Sequence, residues 1–193
     1  MTLIIAMCVY AYTMATTPGP ANVIAMSVGH NYGFRNSLPY ALGATCGHNT
    51  LLAFIGLGLG QFITEGGMFL QILSYGGAAY ICYMGYKTAT STTELKITDQ
   101  DRPKFFQGIF VQWLNPKAWS TSIAGVSAFG IIGDVRLLLI FISIQFIMVF
   151  QALALWAFAG SKIANYLSDD KLKYFNWIMG GSLILIALYL ITL

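Results

Sequence analysis

Apolar residues form long segments along the chain, separated by short polar or charged interruptions. The six predicted segments are Leu3–Gly29, Leu38–Gly60, Phe69–Tyr86, Phe105–Ile132, Leu137–Gly160 and Phe175–Leu193. Each is close to or above the roughly 20 residues that a helix needs to cross a bilayer. The pattern therefore predicts an all-α membrane protein with six transmembrane helices.

Composition strengthens this prediction, because 57% of the 193 residues are hydrophobic and only 9% are charged. A soluble domain carries roughly a quarter charged residues, so a soluble enzyme with a separate catalytic domain is excluded. Residues 1–193 are then a single membrane domain in contact with the lipid bilayer. We therefore expect no enzymatic activity and no cofactor. We also expect no nucleic-acid partner, since the net charge of +3 arises from basic residues in short loops.

The distribution of these basic residues predicts the orientation in the membrane. The first, third and fifth loops carry Arg35, Lys87, Lys96, Arg102, Lys104, Lys162, Lys171 and Lys173. The second and fourth loops together carry only Arg136. Because cytoplasmic loops are enriched in Lys and Arg, the odd loops are expected in the cytoplasm and both termini outside.

The two halves of the chain resemble each other. Thr17–Pro20 interrupts the first segment and Asn115–Lys117 the fourth, while Gly76–Ala78 in the third corresponds to Gly180–Ser182 in the sixth. Each pair is three helices apart, so the halves would insert with opposite topology. This predicts two inverted three-helix repeats, about 1–90 and 105–193, with helices 1 and 4 broken and a cytoplasmic loop at about 87–104. A simple proline kink in each helix is the alternative.

A break within the membrane exposes backbone carbonyls before it and N–H groups after it. The N–H groups of Ala21–Val23, and those after Pro116, favour an anion. The carbonyls of Ala15, Thr16 and Leu114 are acceptors for an ammonium, so the pair of polarities fits a zwitterion. The predicted substrate-binding residues are Thr17, Pro18, Gly19, Pro20, Asn22, Asn115, Pro116 and Lys117.

Lys117 lies within the fourth apolar segment. A lysine at the bilayer centre costs about 2.5–3.5 kcal/mol, so it normally faces a cavity or a partner. No other segment offers an evident acidic partner, which favours a carboxylate supplied by the substrate. The alternative is that its side chain extends to the membrane surface.

His48 lies halfway along the second segment, and because histidine as a residue type ordinarily titrates near neutral pH, it is the candidate for proton coupling. A neutral histidine hydrogen-bonded between helices is the alternative. His30 is expected in the loop after the first segment, without a functional role. Cys8, Cys46 and Cys82 lack the spacing of a metal site or of a disulfide framework, so no metal is expected.

These motifs resemble those of the LysE/RhtB family of amino-acid exporters. The matching blocks, in order, are Thr17–Asn22, Gly33–Arg35, Gly43 with Gly47, Tyr75–Tyr80, Phe106–Gly108 and Leu114–Ala118. The resemblance implies a multi-pass exporter of amino acids or their derivatives in the bacterial inner membrane. It also implies coupling of export to the proton gradient, as an antiport.

The chain departs from many of these relatives after the Pro-Gly-Pro motif, where they carry an acidic residue and this chain has Ala21 and Asn22. Either His48 takes the coupling role, or protons act differently, for example by competition at Lys117. A cationic substrate is disfavoured by Lys117, so we expect a neutral, zwitterionic amino acid. The alternatives are an exporter of another small solute or of a metal ion, a membrane thiol-redox carrier and a non-transporting membrane scaffold. A homodimer is a candidate assembly.

Overall fold

The computed structural model describes residues 2–58, 67–90, 103–164 and 169–191. These residues form eight helices and no strand, so the all-helical prediction is confirmed for them. In chain order the helices are α1 (Thr2–Thr16), α2 (Pro20–Tyr32), α3 (Phe34–Gly56), α4 (Gly67–Ala89), α5 (Phe105–Trp113), α6 (Pro116–Ala128), α7 (Val135–Ala164) and α8 (Asp169–Ile191).

Both helix breaks fall at the predicted prolines. The first apolar segment forms α1 and α2, and the fourth forms α5 and α6. Pro20 and Pro116 each occupy the first turn of the helix that follows a break. Proline is accepted there because the missing N–H has no partner within the helix in any case.

The boundary between α2 and α3 differs from the prediction. We expected a loop from about residue 30 to residue 37, but Gly33 alone separates the two helices, with a φ of 82°. This left-handed conformation favours glycine and lets the chain change direction within one residue. His30 is consequently part of α2, with 7% of its surface exposed, and its ring stacks on Phe175 at 4.1 Å between centroids. The prediction that His30 lies in a loop was wrong.

Other helix ends are also displaced from the predicted segment ends. α7 begins at Val135 and continues to Ala164, and α8 begins at Asp169 rather than at Phe175. Polar residues at helix ends lie outside an apolar segment, yet they continue the helical hydrogen bonding. Most of the predicted cytoplasmic loop at 87–104 and the loop after α3 lie outside the described residues.

α7 is the central helix of the bundle. It packs against α1 and α2, which flank the first break, and against α3. In turn α3 packs against α5 and α6, which flank the second break, and α4 packs against α8. Both breaks are thereby held against the pair formed by α3 and α7.

Among the described residues, Val135–Ile163 of α7 forms one helix that is both long and apolar enough to cross a bilayer, with a mean hydropathy of 2.4. Thr2–Thr16 and Lys173–Leu188 are apolar but shorter. The two breaks shorten the helices of the first and fourth segments. Polar residues such as Arg35 and His48 lower the hydropathy of α3.

Glycines allow the closest helix contacts. A Cβ atom on Gly29 would overlap the Ala157 carbonyl, and one on Gly160 would overlap the Met26 carbonyl. Gly43 is equally close to the backbone of Phe105. Such backbone contacts through small residues are a main source of packing between helices in membranes.

We predict that Gly29→Ala destabilises the protein by about 1–3 kcal/mol, because the new methyl group meets backbone that has no room to move. Thermal unfolding of the detergent-solubilised protein measures this. The matched control is Gly76→Ala, since nothing lies within 4 Å of a Cβ there. That variant should be neutral or slightly more stable, because alanine favours a helix more than glycine does. Equal stability of the two variants would contradict the close packing of α2 on α7.

Candidate functional site

The two helix breaks meet at a small polar cavity in the middle of the bundle. It offers about 40 Å³ to the centres of water-sized molecules, which is room for about three waters. Its polar side chains, contributed by α2, α3, α5, α6, α7 and the second break, are Asn22, His48, Gln112, Asn115, Lys117, Thr121 and Gln145. The bundle therefore brings polar groups from distant parts of the sequence to one place.

Lys117 connects the two breaks. Its Nζ donates to the Thr17 carbonyl at 2.6 Å and to Thr17 Oγ1 at 2.9 Å, and lies 3.5 Å from the Pro18 carbonyl. A Cβ on Gly19 would lie 2.9 Å from Lys117 Cδ, so glycine makes room for the lysine stem. The ammonium is thus bound by oxygens at the end of the first half-helix, a partner that sequence analysis did not foresee.

Two carbonyls that we expected to accept a substrate ammonium are occupied by the chain itself. Asn22 Nδ2 donates to the Ala15 carbonyl at 2.8 Å, and Trp156 Nε1 donates to the Thr16 carbonyl at 3.3 Å. Each carbonyl oxygen keeps a second acceptor site, so the expectation for Ala15 and Thr16 stays a prediction, with side chains of α2 and α7 as competing donors. The acceptors that face Lys117 belong instead to Thr17 and Pro18.

The half-helices after the two breaks differ at their N-termini. Asn115 Oδ1 accepts from the Lys117 N–H at 3.1 Å, so α6 is capped by its own side chain. Gly19 precedes α2 without a side-chain cap, and Ala21 and Asn22 line the cavity. Of these two helix N-termini, the one that faces the cavity without a capping side chain is therefore that of α2, with the positive end of its dipole.

His48 lines the cavity and is 6% exposed. The Gln145 side chain lies within hydrogen-bonding reach of the imidazole, while Nε2 has no hydrogen-bond partner among the described residues. Lys117 is close enough to act on His48 electrostatically. The two titratable groups singled out from the sequence thus share one site.

Sequence analysis missed Gln112 and Gln145. Both are buried in the cavity wall, with 5% and 2% of their surface exposed. Each is an isolated amide within an otherwise apolar stretch, and that isolation was the available signal. Because an amide carries no charge, it disturbs the hydropathy pattern less than a lysine does.

Four of the eight predicted substrate-binding residues line the cavity, and the other four belong to the two breaks beside it. Gly19, Asn22, Asn115 and Lys117 line the cavity. The lysine binds Thr17 and approaches the Pro18 carbonyl, and Pro20 and Pro116 begin the half-helices. Among the described residues that line the cavity, none is acidic.

The cysteines and possible metal ligands lie apart from one another. Cys8, Cys46 and Cys82 are free thiols, each partly buried. The described ranges contain no group of three or more His, Cys, Asp or Glu side chains that would hold a metal ion.

A polar cavity between discontinuous helices is typical of secondary transporters. Comparison with known proteins places the chain in the same class. Residues 12–193 match the family model described as LysE type translocator, and the chain belongs to this family of membrane transporters.

Several curated relatives carry the name cysteine/O-acetylserine efflux protein. Those of Escherichia coli (strain K12), Escherichia coli O139:H28 (strain E24377A / ETEC) and Shigella sonnei (strain Ss046) are each 30% identical to this chain over 129 residues. The alignment covers 66% of this chain and 66% of each relative, which is just under two thirds of the relatives' length. No solved structure matches this chain significantly.

Proposed function

We propose that this protein exports small, neutral, zwitterionic amino acids or their derivatives from the bacterial cytoplasm across the inner membrane. The observation that carries the proposal is the bond between Lys117 and Thr17 across the two helix breaks. It places a cation and a set of backbone acceptors side by side, in a cavity lined by residues of both breaks. The names of the relatives support an amino-acid cargo.

The bond suggests how a zwitterion would be bound. A substrate carboxylate would pair with the Lys117 ammonium, which is the stronger, charge-assisted type of hydrogen bond. The uncapped N-terminus of α2 would add its N–H groups to the same carboxylate. Once Lys117 turns toward the carboxylate, the carbonyls of Thr17 and Pro18 become available to the substrate ammonium. The lysine side chain would thus occupy the ammonium site until substrate arrives.

The charge of the cavity favours a neutral substrate. Lys117 would repel a second positive charge on a basic amino acid, and the described residues place no carboxylate in the cavity lining to compensate for it. A side chain with a negative charge would need a second cation, since a buried charge without a partner is costly. An amino acid with an uncharged side chain avoids both problems.

The packing of the bundle supports two inverted repeats as the basis of alternating access. α3 lies against the second break and α7 against the first, so each half of the chain supports the broken helix of the other. With the odd loops in the cytoplasm, such repeats would expose the cavity to one side of the membrane and then to the other. We propose His48 as the proton-coupling residue, because it lines the same cavity as Lys117.

Transport by purified protein in liposomes tests this function. We expect efflux of at least one small, neutral amino acid from a panel of preloaded vesicles, above the rate of protein-free vesicles. Lysine and arginine, also in the panel, should leave no faster than from protein-free vesicles. Overproduction in cells should likewise increase resistance to the exported amino acid. If no amino acid is exported from vesicles or cells, the proposed function is wrong.

A further inference from the structure

Two buried glutamines occupy the cavity wall formed by α5 and α7. Gln112 and Gln145 both line the cavity, and their surfaces are 5% and 2% exposed. Buried polar side chains are almost always hydrogen-bonded. Gln145 lies within hydrogen-bonding reach of the His48 imidazole, and His48 Nε2 has no partner among the described residues. Each glutamine amide has two N–H donors and an acceptor oxygen, more than one such contact uses. A group that enters the cavity would therefore find unused donors and acceptors.

The cavity lining around the glutamines combines polar and apolar side chains. His48 Nε2 is buried there without a hydrogen-bond partner among the described residues. Val149 and Leu153 follow Gln145 along α7 at helical spacing and also line the cavity. The space is small, and it combines hydrogen-bonding groups with an aliphatic wall.

We infer that Gln112 and Gln145, together with His48, form a side-chain subsite that selects amino acids with an uncharged hydrogen-bonding group over aliphatic ones of the same size. The fitting groups are a hydroxyl or a thiol. This inference rests on the proposed export function and assigns these three side chains a specificity role. Gln112 and Gln145 are specificity-determining residues in this arrangement.

The selectivity follows from the cost of leaving buried amides without partners. An aliphatic side chain would displace water from the glutamines and offer them no hydrogen bond in return. A hydroxyl of the same volume replaces the lost bonds, since it can donate and accept, and a thiol does so more weakly. Sites built to hydrogen-bond a substrate reject analogues that lack the group much more strongly than apolar pockets discriminate by size.

Lys117 and the two glutamines would bind different parts of the same substrate. The lysine lies at the helix breaks, where a carboxylate and an ammonium would be bound. The glutamines come from α5 and α7 and are left for the side chain. Substitution of a glutamine should therefore change which amino acid is transported, whereas substitution of the lysine should affect all of them.

The test compares isosteric pairs of substrates in the same vesicles. Threonine and valine differ by a hydroxyl in place of a methyl group, and cysteine and 2-aminobutyrate differ by a thiol in place of a methyl group. For the unmodified protein we expect a polar-to-aliphatic ratio of initial efflux rates of about tenfold or more for at least one pair. Gln112→Leu and Gln145→Leu should lower that ratio to near one, by slowing the polar substrate while the aliphatic one is unchanged or faster.

Gln151→Leu is the matched control. It makes the same substitution on α7, at an exposed position away from the cavity lining, and should keep the ratio of the unmodified protein. Size-exclusion chromatography and thermal unfolding check that each variant folds. The near-isosteric Gln112→Met and Gln145→Met variants give the ratio if a leucine variant does not fold. Because the ratio is measured within one sample, a uniform loss of folded protein does not alter it.

The outcomes separate this inference from the function on which it rests. Absence of any amino-acid efflux would overturn the exporter proposal itself. Efflux with equal rates for both members of each pair, or faster efflux of the aliphatic members, would overturn the subsite alone. A ratio that survives both glutamine substitutions would do the same.

Discussion

Lys117→Met is expected to reduce amino-acid efflux about 10- to 150-fold, whichever neutral amino acid is exported. The variant keeps a side chain of similar length, so packing beside Gly19 is maintained, but it removes the ammonium that would pair with the substrate carboxylate. Hydrogen bonds to charged groups contribute about 1.5–3 kcal/mol, and each 1.4 kcal/mol corresponds to a factor of ten in affinity. Initial efflux rates from preloaded proteoliposomes measure the effect.

Lys173→Met is the matched control for this prediction. Lys173 is exposed on α8 and does not line the cavity, so its loss should leave efflux within about twofold of the unmodified protein. Lys117→Met should still fold, because Thr17 is exposed, so its carbonyl and hydroxyl are not left buried without a partner. Unchanged efflux by a folded Lys117→Met variant would remove the lysine from the substrate site.

The second large effect concerns the proton gradient. If one proton enters for each amino acid exported, an outside pH one unit lower should raise the steady-state ratio of external to internal substrate tenfold, since one pH unit equals about 1.4 kcal/mol. His48→Gln should bring that ratio close to one while transport down a substrate gradient continues. The reason is that glutamine keeps hydrogen-bonding capacity next to Gln145 but does not titrate.

The other histidine supplies the control for proton coupling. His30 is also buried, but it stacks on Phe175 near the end of α2 and does not line the cavity. His30→Gln should therefore keep the tenfold response to pH. A His48→Gln variant that still builds a substrate gradient in response to pH would assign coupling to another group, with competition at Lys117 as the next hypothesis.

The prediction of the helix breaks from sequence depended on proline. Pro18, Pro20 and Pro116 each remove a backbone donor and clash with the preceding turn, which disfavours a continuous helix for local reasons. Pro39 lies inside α3, so a single proline does not by itself end a helix in this chain. The structure places Pro20 and Pro116 in the first turns of α2 and α6, as this chemistry requires. The ends of α2 and α8 were less predictable, because a polar residue at a helix end continues the backbone hydrogen bonding without contributing to the apolar pattern.

Partners of the site residues were harder to predict than the residues themselves. Lys117 was identified because a charge within an apolar segment is costly wherever the segment lies. Its bond to Thr17 joins residues 100 positions apart and depends on α3 and α7 holding both breaks together. Gln112 and Gln145 were missed for a related reason, since an amide gains significance only when the fold directs it into a cavity.

The sequence by itself determined the features that follow from local chemistry: an all-helical membrane chain, breaks at two proline motifs and a small set of polar residues in apolar segments. The tertiary structure decided which of these groups meet. The carbonyls of Ala15 and Thr16 accept from the chain's own side chains, whereas those of Thr17 and Pro18 face Lys117. Two glutamines line the same cavity as His48. The physical reason is that hydrophobicity and proline geometry act along the chain, whereas hydrogen bonding in a cavity depends on helices that are distant in sequence.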